Sequence, residues 1–160
     1  MLSALRLGQE FNLHFVLEEA TDAYKCLREL KETQTPVIYG PIYIEPWGFR
    51  RSSGETNDAR LDTPARLRDA GIKFALTAQE MRDEEALARQ AMMAARYGLT
   101  LDEALRAVTA TPAELLGLAD RIGAIKPGAD GDLVVWNGEP FAATSRPVLV
   151  MIDGNVVYQQ

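Results

Sequence analysis

Short apolar runs alternate with amphipathic segments through the first hundred residues. Apolar runs of about 4–8 residues suit buried strands, whereas apolar positions three and four residues apart suit helices. The pattern predicts strands over 12–17, 36–39 and 72–76, with helices over 2–10, 21–32, 63–70 and 84–97. Strands that alternate with helices are typical of parallel βα units. Residues 12 to about 97 therefore predict an α/β fold with a parallel sheet.

Polar residues at helix starts refine these boundaries. Thr21 and Thr63 stand where N-caps are expected, and Thr100 with Glu103 three residues later makes a capping-box pattern. The capping box predicts a helix to about residue 108, and a further short helix is predicted over 113–116. Cys26, the one cysteine, falls within a predicted helix and is interpreted as a small buried apolar residue.

The pattern changes from a helical to a strand period in the last third of the chain. Apolar runs at 132–137, 148–152 and 156–158 predict strands, and Asp153-Gly154 or Gly154-Asn155 predicts a tight hairpin turn. We expect a small antiparallel sheet here. The predicted division is into residues 1–118, which contain the βα units and helices, and residues 119–160, which form the C-terminal β-region.

Charge and length narrow the classes of function. The chain has 160 residues, a net charge of -6 and a pI near 4.9, which argue against nucleic acid as a partner. No apolar run approaches the ~18 residues of a membrane span, and the N-terminus lacks the pattern of a signal peptide. These features predict a soluble, cytoplasmic protein with no membrane partner.

Several motifs together resemble one enzyme family. They are Thr-Ala-Thr-Pro-Ala-Glu-Leu-Leu-Gly-Leu at 109–118, Gly-Ala-Ile-Lys-Pro-Gly-Ala-Asp-Gly-Asp-Leu-Val-Val-Trp at 123–136 and Val-Met-Ile-Asp-Gly-Asn-Val-Val-Tyr at 150–158. The chain resembles the C-terminal part of the metal-dependent amidohydrolases, most closely the imidazolonepropionase-like and cyclic-amidohydrolase branch. The resemblance implies a partial TIM barrel, in which residues 15–24, 35–41 and 70–77 correspond to the last strands, plus a small β-sandwich region.

The resemblance also implies positions for the catalytic groups, and this chain departs from the family there. Family members carry a metal-binding histidine where this chain has Glu19, and a metal-binding aspartate that acts as general base where it has Gln79. A neutral amide cannot take a proton from water at neutral pH. Glu19 and Glu80 offer only oxygens, which suit Mg²⁺ or Ca²⁺ better than the zinc that the family can use. We therefore expect no metal cofactor in this chain.

Other polar and aromatic residues are weighed as alternatives. His14, the single histidine, alternates away from residues 15 and 17 and is interpreted as a packed or hydrogen-bonded histidine rather than a ligand. Residues 41–58 lack any period and predict a long loop, in which Tyr43, Trp47 and Arg50 are the candidate ligand-binding patch. A loop that folds over an open edge of the barrel is the other interpretation.

The number of predicted strands favours association. A closed barrel takes about eight strands, and unpaired strand edges promote pairing with other chains. We expect a homo-oligomer or a partner chain that supplies the missing strands. Three readings stay open: a truncated and catalytically degenerate amidohydrolase, half of a split amidohydrolase acting on cyclic amides or related C–N bonds, and a non-catalytic binding or scaffold module.

Overall fold

The computed structural model describes residues 1–42, 60–78 and 86–160. The elements, numbered along the chain, alternate in the first part and become purely β in the last. They are α1 (Leu2–Glu10), β1 (Leu17–Glu18), a 3₁₀ turn (Ala23–Lys25), α2 (Leu27–Thr33), β2 (Val37–Tyr39), α3 (Thr63–Asp69), β3 (Phe74–Leu76), α4 (Ala86–Arg96), α5 (Leu101–Val108), α6 (Ala110–Leu115), β4 (Leu133–Trp136), β5 (Pro147–Ile152) and β6 (Asn155–Gln159).

A parallel sheet with the strand order β1-β2-β3 organises the first part. Val37 of β2 pairs with Leu17 on one side and Phe74 on the other, and β2 is thus the central strand. The ladder continues one residue past β3, where the Thr77 N–H donates to the Tyr39 carbonyl at 3.0 Å. The predicted α/β class and the parallel pairing are confirmed. The three strands form an open sheet and do not close a barrel among the residues described.

The core lies between this sheet and the helices around it. Leu30 of α2, Val37 of β2, Leu67 of α3 and Ala91 of α4 are fully buried in one apolar cluster. The four residues come from four different elements. Each helix turns one apolar stripe toward the core, and the strand contributes a buried side chain. The burial of these side chains holds the helices against the sheet, which in turn fixes where the strand ends lie.

Two predicted elements near the start of the sheet are wrong in extent. The strand predicted over 12–17 is only Leu17–Glu18, because Leu13 is exposed and its N–H donates back to Gly8 at 2.8 Å to end α1. The helix predicted over 21–32 is broken at Cys26 into a 3₁₀ turn and α2. Cys26 is buried as expected.

The predicted caps at Thr21 and Thr63 are also wrong. The Thr21 N–H donates to the Glu19 carbonyl at 2.7 Å, so Thr21 belongs to the turn after β1. Asp62 holds the cap position of α3, and Thr63 is the first residue of that helix. Its hydroxyl is buried and donates to the Arg60 carbonyl at 2.9 Å, which satisfies a polar group inside the core.

The capping box before α5 is confirmed. The Thr100 hydroxyl accepts from the Glu103 N–H at 3.2 Å, and a Glu103 carboxylate oxygen accepts from the Thr100 N–H at 2.8 Å. The same carboxylate oxygen accepts from Arg68 of α3 at 2.7 Å. One side chain therefore caps α5 and joins it to α3. The Thr100 N–H first, and then Arg68, hold the pKa of Glu103 below its usual value.

The C-terminal sheet is antiparallel with the order β4-β5-β6, as predicted. Asp153 and Gly154 join β5 to β6 with φ of 51° and 76°, the left-handed pair that a two-residue hairpin turn requires. Asp132 supports this turn, because its carboxylate accepts from the Asp153 N–H at 2.8 Å. Every residue of β6 is exposed. The division at residue 118 stays a prediction.

Among the residues that the structure describes, no helix has both the length and the apolar character needed to cross a membrane.

We expect Gly40→Ala to lower the free energy of unfolding by about 2 kcal/mol or more, because left-handed backbone is strained for L side chains. Gly40 has φ of +126°, and an added Cβ would lie 2.6 Å from the Thr77 carbonyl oxygen. Gly71→Ala is the matched control, since Gly71 has φ of +73° and nothing lies within 4 Å of its added Cβ. The control should cost only about 1 kcal/mol. Equal losses in urea unfolding would contradict the proposed close approach.

Glu103→Gln should lower stability by roughly 0.5 kcal/mol at pH 7, since the ion pair with Arg68 is partly exposed. Gln keeps an acceptor for the Thr100 N–H and removes only the charge. A carboxyl with a lowered folded pKa stabilises above its unfolded pKa, and this is lost as pH falls through the folded value. The wild-type advantage should therefore be full above about pH 4.5 and shrink below it. Asp102→Asn, in the same turn, controls for the helix dipole, and an advantage independent of pH would refute the assignment.

Candidate functional site

The carboxyl ends of β1, β2 and β3 lie together at one edge of the parallel sheet. Glu18, Tyr39 and Leu76 are the last residues of these strands. In parallel α/β folds and TIM barrels, ligands bind at this end, because the loops that follow the strands converge there. The candidate site is therefore the set of residues that immediately follow the three strands.

Glu19 begins the turn after β1. Its backbone is left-handed, with φ of 51°, and its carbonyl accepts from the Thr21 N–H at 2.7 Å. The turn places Ala20 in the core while Glu19 stays partly buried at the edge of the sheet. Glu18, the residue before it, is exposed. Of this acidic pair, Glu19 is thus the one whose backbone leaves the sheet at the candidate site.

Tyr39 anchors the next strand end. Its ring is buried, and its hydroxyl donates to the Arg60 carbonyl at 2.9 Å. The same carbonyl also accepts from the Thr63 hydroxyl. Burial is the main cause that raises the pKa of Tyr39 above its usual value. A phenol held neutral with its proton engaged by a carbonyl is a structural anchor. It fixes the chain at residue 60 beside the end of β2.

The turn after β2 lies against both neighbouring elements. The peptide bond between Gly40 and Pro41 is cis, and Gly40 approaches the backbone of Thr77 after β3. The N–H of Ile42, which is buried, donates to the side-chain oxygen of Gln90 on α4. The end of β2 is therefore held on one side by Thr77, after β3, and on the other by Gln90 of α4.

A charged cluster lies beside the turn after β1. Lys25 forms an ion pair with Asp22 at 3.3 Å, and this contact raises the pKa of Lys25. Lys25 and Arg60 both lie over the ring of Tyr24, at 5.4 and 5.7 Å from its centroid. These cations are engaged by a carboxylate and an aromatic face, so their main effect is to tie the 3₁₀ turn to the start of α3.

The residues described do not fit a metal centre by themselves. Across 1–42, 60–78 and 86–160, no three His, Cys, Asp or Glu side chains come close enough to hold a metal ion. A catalytic zinc site takes about three protein ligands. Glu19 is the only predicted site residue within the described ranges. Outside them lie Gln79, Glu80, Tyr43, Trp47 and Arg50.

His14 is exposed, and its interpretation as a packed or hydrogen-bonded residue is wrong. It precedes β1, because the strand begins only at Leu17, and it lines a cavity of about 780 Å³ at the amino ends of the strands. Lys73 and Glu114 line the same cavity and form an ion pair at 2.9 Å. This cavity lies at the amino ends of the strands, the end that in these folds serves stability rather than catalysis.

One residue of the site, Gln90, is predicted from the sequence only as part of a helix. Tyr39 is predicted as the end of a strand and is grouped with the aromatic residues around the loop 41–58. Gln90 has a detectable signal, since it lies four residues from Ala86 and from Ala94, both buried, and is thus a polar residue within an apolar stripe. Such a residue needs a hydrogen-bond partner when buried. The sequence could not identify Ile42 as that partner.

Comparison with known proteins agrees with the arrangement of elements. Residues 56–158 match the model of the amidohydrolase family. An imidazolonepropionase of Porphyromonas gingivalis is 47% identical over 150 residues, covering 69% of this chain and 36% of the relative. The amidohydrolase tasK of Hapsidospora irregularis is 45% identical over 62 residues, covering 39% of this chain and 6% of the relative.

A solved structure extends the likeness to almost all of the chain. The amidohydrolase from Thermotoga maritima MSB8 superposes with a TM-score of 0.88 and 38% identity, over 99% of this chain and 40% of that one. The chain thus spans well under half the length of these proteins. The family model covers more than half of this chain, and the chain belongs to the amidohydrolase family.

Proposed function

We propose that these 160 residues form a section of an amidohydrolase barrel that does not hydrolyse a substrate by itself. The observation that carries the proposal is the parallel sheet of three strands, whose carboxyl ends lie together at an open edge. A closed barrel of about eight strands encloses the catalytic pocket in this type of fold. A three-stranded section offers one wall of such a pocket.

The substituted positions support the absence of hydrolysis by the section alone. Glu19 stands where the family's sixth-strand histidine is expected, and Gln79 where the aspartate that serves as general base is expected. Metal-assisted hydrolysis needs a cation to acidify water and a group that accepts the proton. Carboxylate oxygen at Glu19 is a poorer zinc ligand than imidazole, and the amide of Gln79 is no base.

The second candidate is a working hydrolase completed by further strands. The likeness to the Thermotoga maritima amidohydrolase favours it, because 99% of this chain superposes and no large rearrangement is needed for insertion into a whole barrel. The substrate class would be cyclic amides or related C–N bonds, in line with the imidazolonepropionase relatives. In this candidate the remaining ligands come from outside these 160 residues, and Glu19, which follows β1, lies at the pocket mouth.

We expect the purified 160-residue chain to contain no stoichiometric metal and to hydrolyse none of a panel of cyclic amides. Metal is measured by elemental mass spectrometry on the size-exclusion peak, together with light scattering. The chain is then mixed with the part of the Thermotoga maritima amidohydrolase that lies outside the superposition. If the first candidate holds, the mixture associates and stays inactive. Activity of the unmodified mixture would select the second candidate.

Restoring the family's residues sharpens this test. The double variant Glu19→His with Gln79→Asp should bind metal and gain hydrolysis in the same mixture, at least about 100-fold above the parent, since general-base catalysis alone contributes about that much. Glu18→His with Gln79→Asp is the matched control, because Glu18 is exposed beside the site. Equal gains in both double variants would argue against Glu19 as the ligand position. Hydrolysis by the unmodified chain alone would overturn the proposal.

A further inference from the structure

Gln90 is a buried polar side chain on a helix that is otherwise apolar on that side. It is 1% exposed, and its α4 neighbours Ala91 and Ala94 are buried in the core cluster. A primary amide in such a position costs free energy unless its polar atoms are hydrogen-bonded. Leu or Met would fill the same space against the core, so packing alone does not explain why an amide occupies this position.

The explanation lies in the backbone after β2. The N–H of Ile42 donates to the Gln90 side-chain oxygen. Ile42 is 5% exposed, and this N–H would lack a solvent partner without the acceptor. A buried backbone N–H left unsatisfied is rare in folded proteins. The hydrogen bond joins residues 48 positions apart and connects two elements that lie far apart in sequence.

The contact between Gln90 and Ile42 lies at the carboxyl end of the parallel sheet, where it fixes the turn after β2. Gly40 is packed against the backbone of Thr77, so one side of the turn after β2 is fixed by β3. Gln90 fixes the other side from α4. Between them, the two contacts set the direction in which the chain leaves β2 at the carboxyl end of the sheet. This is the end at which ligands bind in such folds.

We propose that Gln90 is a positioning residue for the substrate pocket, acting through the backbone of Ile42. It touches no reacting group. It holds the turn 40–42 so that the wall of the pocket formed at the end of β2 has one defined position. The proposal rests on the proposed function in placing the pocket at the carboxyl ends of β1, β2 and β3.

The first test uses the 160-residue chain and needs no activity. Gln90→Met keeps the length and removes the acceptor, so the hydrogen-exchange rate of the Ile42 amide should rise about tenfold, the usual effect of one lost hydrogen bond. The rate at Leu30, in α2, should change much less. Gln90→Glu keeps an acceptor oxygen and should retain the protection of Ile42 better than Gln90→Met. Met93→Leu, on the same helix and buried, is the matched control.

A uniform rise at Ile42 and Leu30 in Gln90→Met would show general destabilisation and would overturn the proposal. No change at Ile42 would also overturn it, because the Gln90 contact would then not hold this turn. Neither outcome depends on whether the chain takes part in hydrolysis. The positioning of Ile42 and the proposed function are thus tested separately.

The second test separates binding from chemistry in a hydrolytically active mixture, either the unmodified one or the one carrying Glu19→His with Gln79→Asp. Gln90→Met should raise KM by about tenfold or more with a smaller change in kcat, since a displaced pocket wall weakens binding of the substrate before the reaction. Gln90→Glu should restore KM in part. Equal kinetics for Gln90→Met and Met93→Leu would overturn the role at the pocket. If no mixture is active, the gain expected for Glu19→His with Gln79→Asp is wrong, and the exchange rate at Ile42 decides the role of Gln90.

Discussion

The central position of β2 is the constraint on which the site depends. This strand has only three residues, Val37–Tyr39, yet it pairs with β1 and β3 at once. Its side chains are largely buried. The N–H of its first residue donates to the Lys73 carbonyl, and the carbonyl of its last residue accepts from the Thr77 N–H. Because β1 and β3 are both hydrogen-bonded to β2, the register of β2 decides which residues of its neighbours lie beside its end at the site. Tyr39, Gly40 and Ile42 then carry the contacts that shape its edge.

An open sheet leaves the molecule with apolar surface that its own described residues do not cover. Leu13 and Phe11 are exposed beside the amino ends of the strands, and Val156, Val157 and Tyr158 are exposed on β6. Contiguous apolar patches on a protein surface mark sites of association. The expected association has its physical basis in the small number of strands in the parallel sheet, whose edges lack partners among the described residues.

The sequence predicted those features of the fold that depend on residues close together in the chain. The capping box at Thr100 and Glu103 was predicted correctly, and the hairpin turn at Asp153-Gly154 is the first of the two predicted alternatives. Each depends on residues within about one turn. The strand before Leu17 and the helix start at Thr21 were wrong, because local backbone hydrogen bonds from Leu13 to Gly8 and from Thr21 to Glu19 form turns there instead. Glu19 was placed correctly at a strand end by resemblance. The contact between Gln90 and Ile42 could not be predicted, since nothing in a period of 3.6 residues specifies a partner 48 positions away.

The two candidate functions differ in what the substitutions at Glu19 and Gln79 mean. A histidine that becomes glutamate keeps a ligand of another type, whereas an aspartate that becomes glutamine loses its charge and its basicity. Loss of the base is the more serious change, because a metal-bound water still needs an acceptor for its proton. The buried contacts of Tyr39 and Gln90 involve none of the candidate catalytic positions. The shape at the end of β2 therefore depends on packing and hydrogen bonding and is the same under either candidate function.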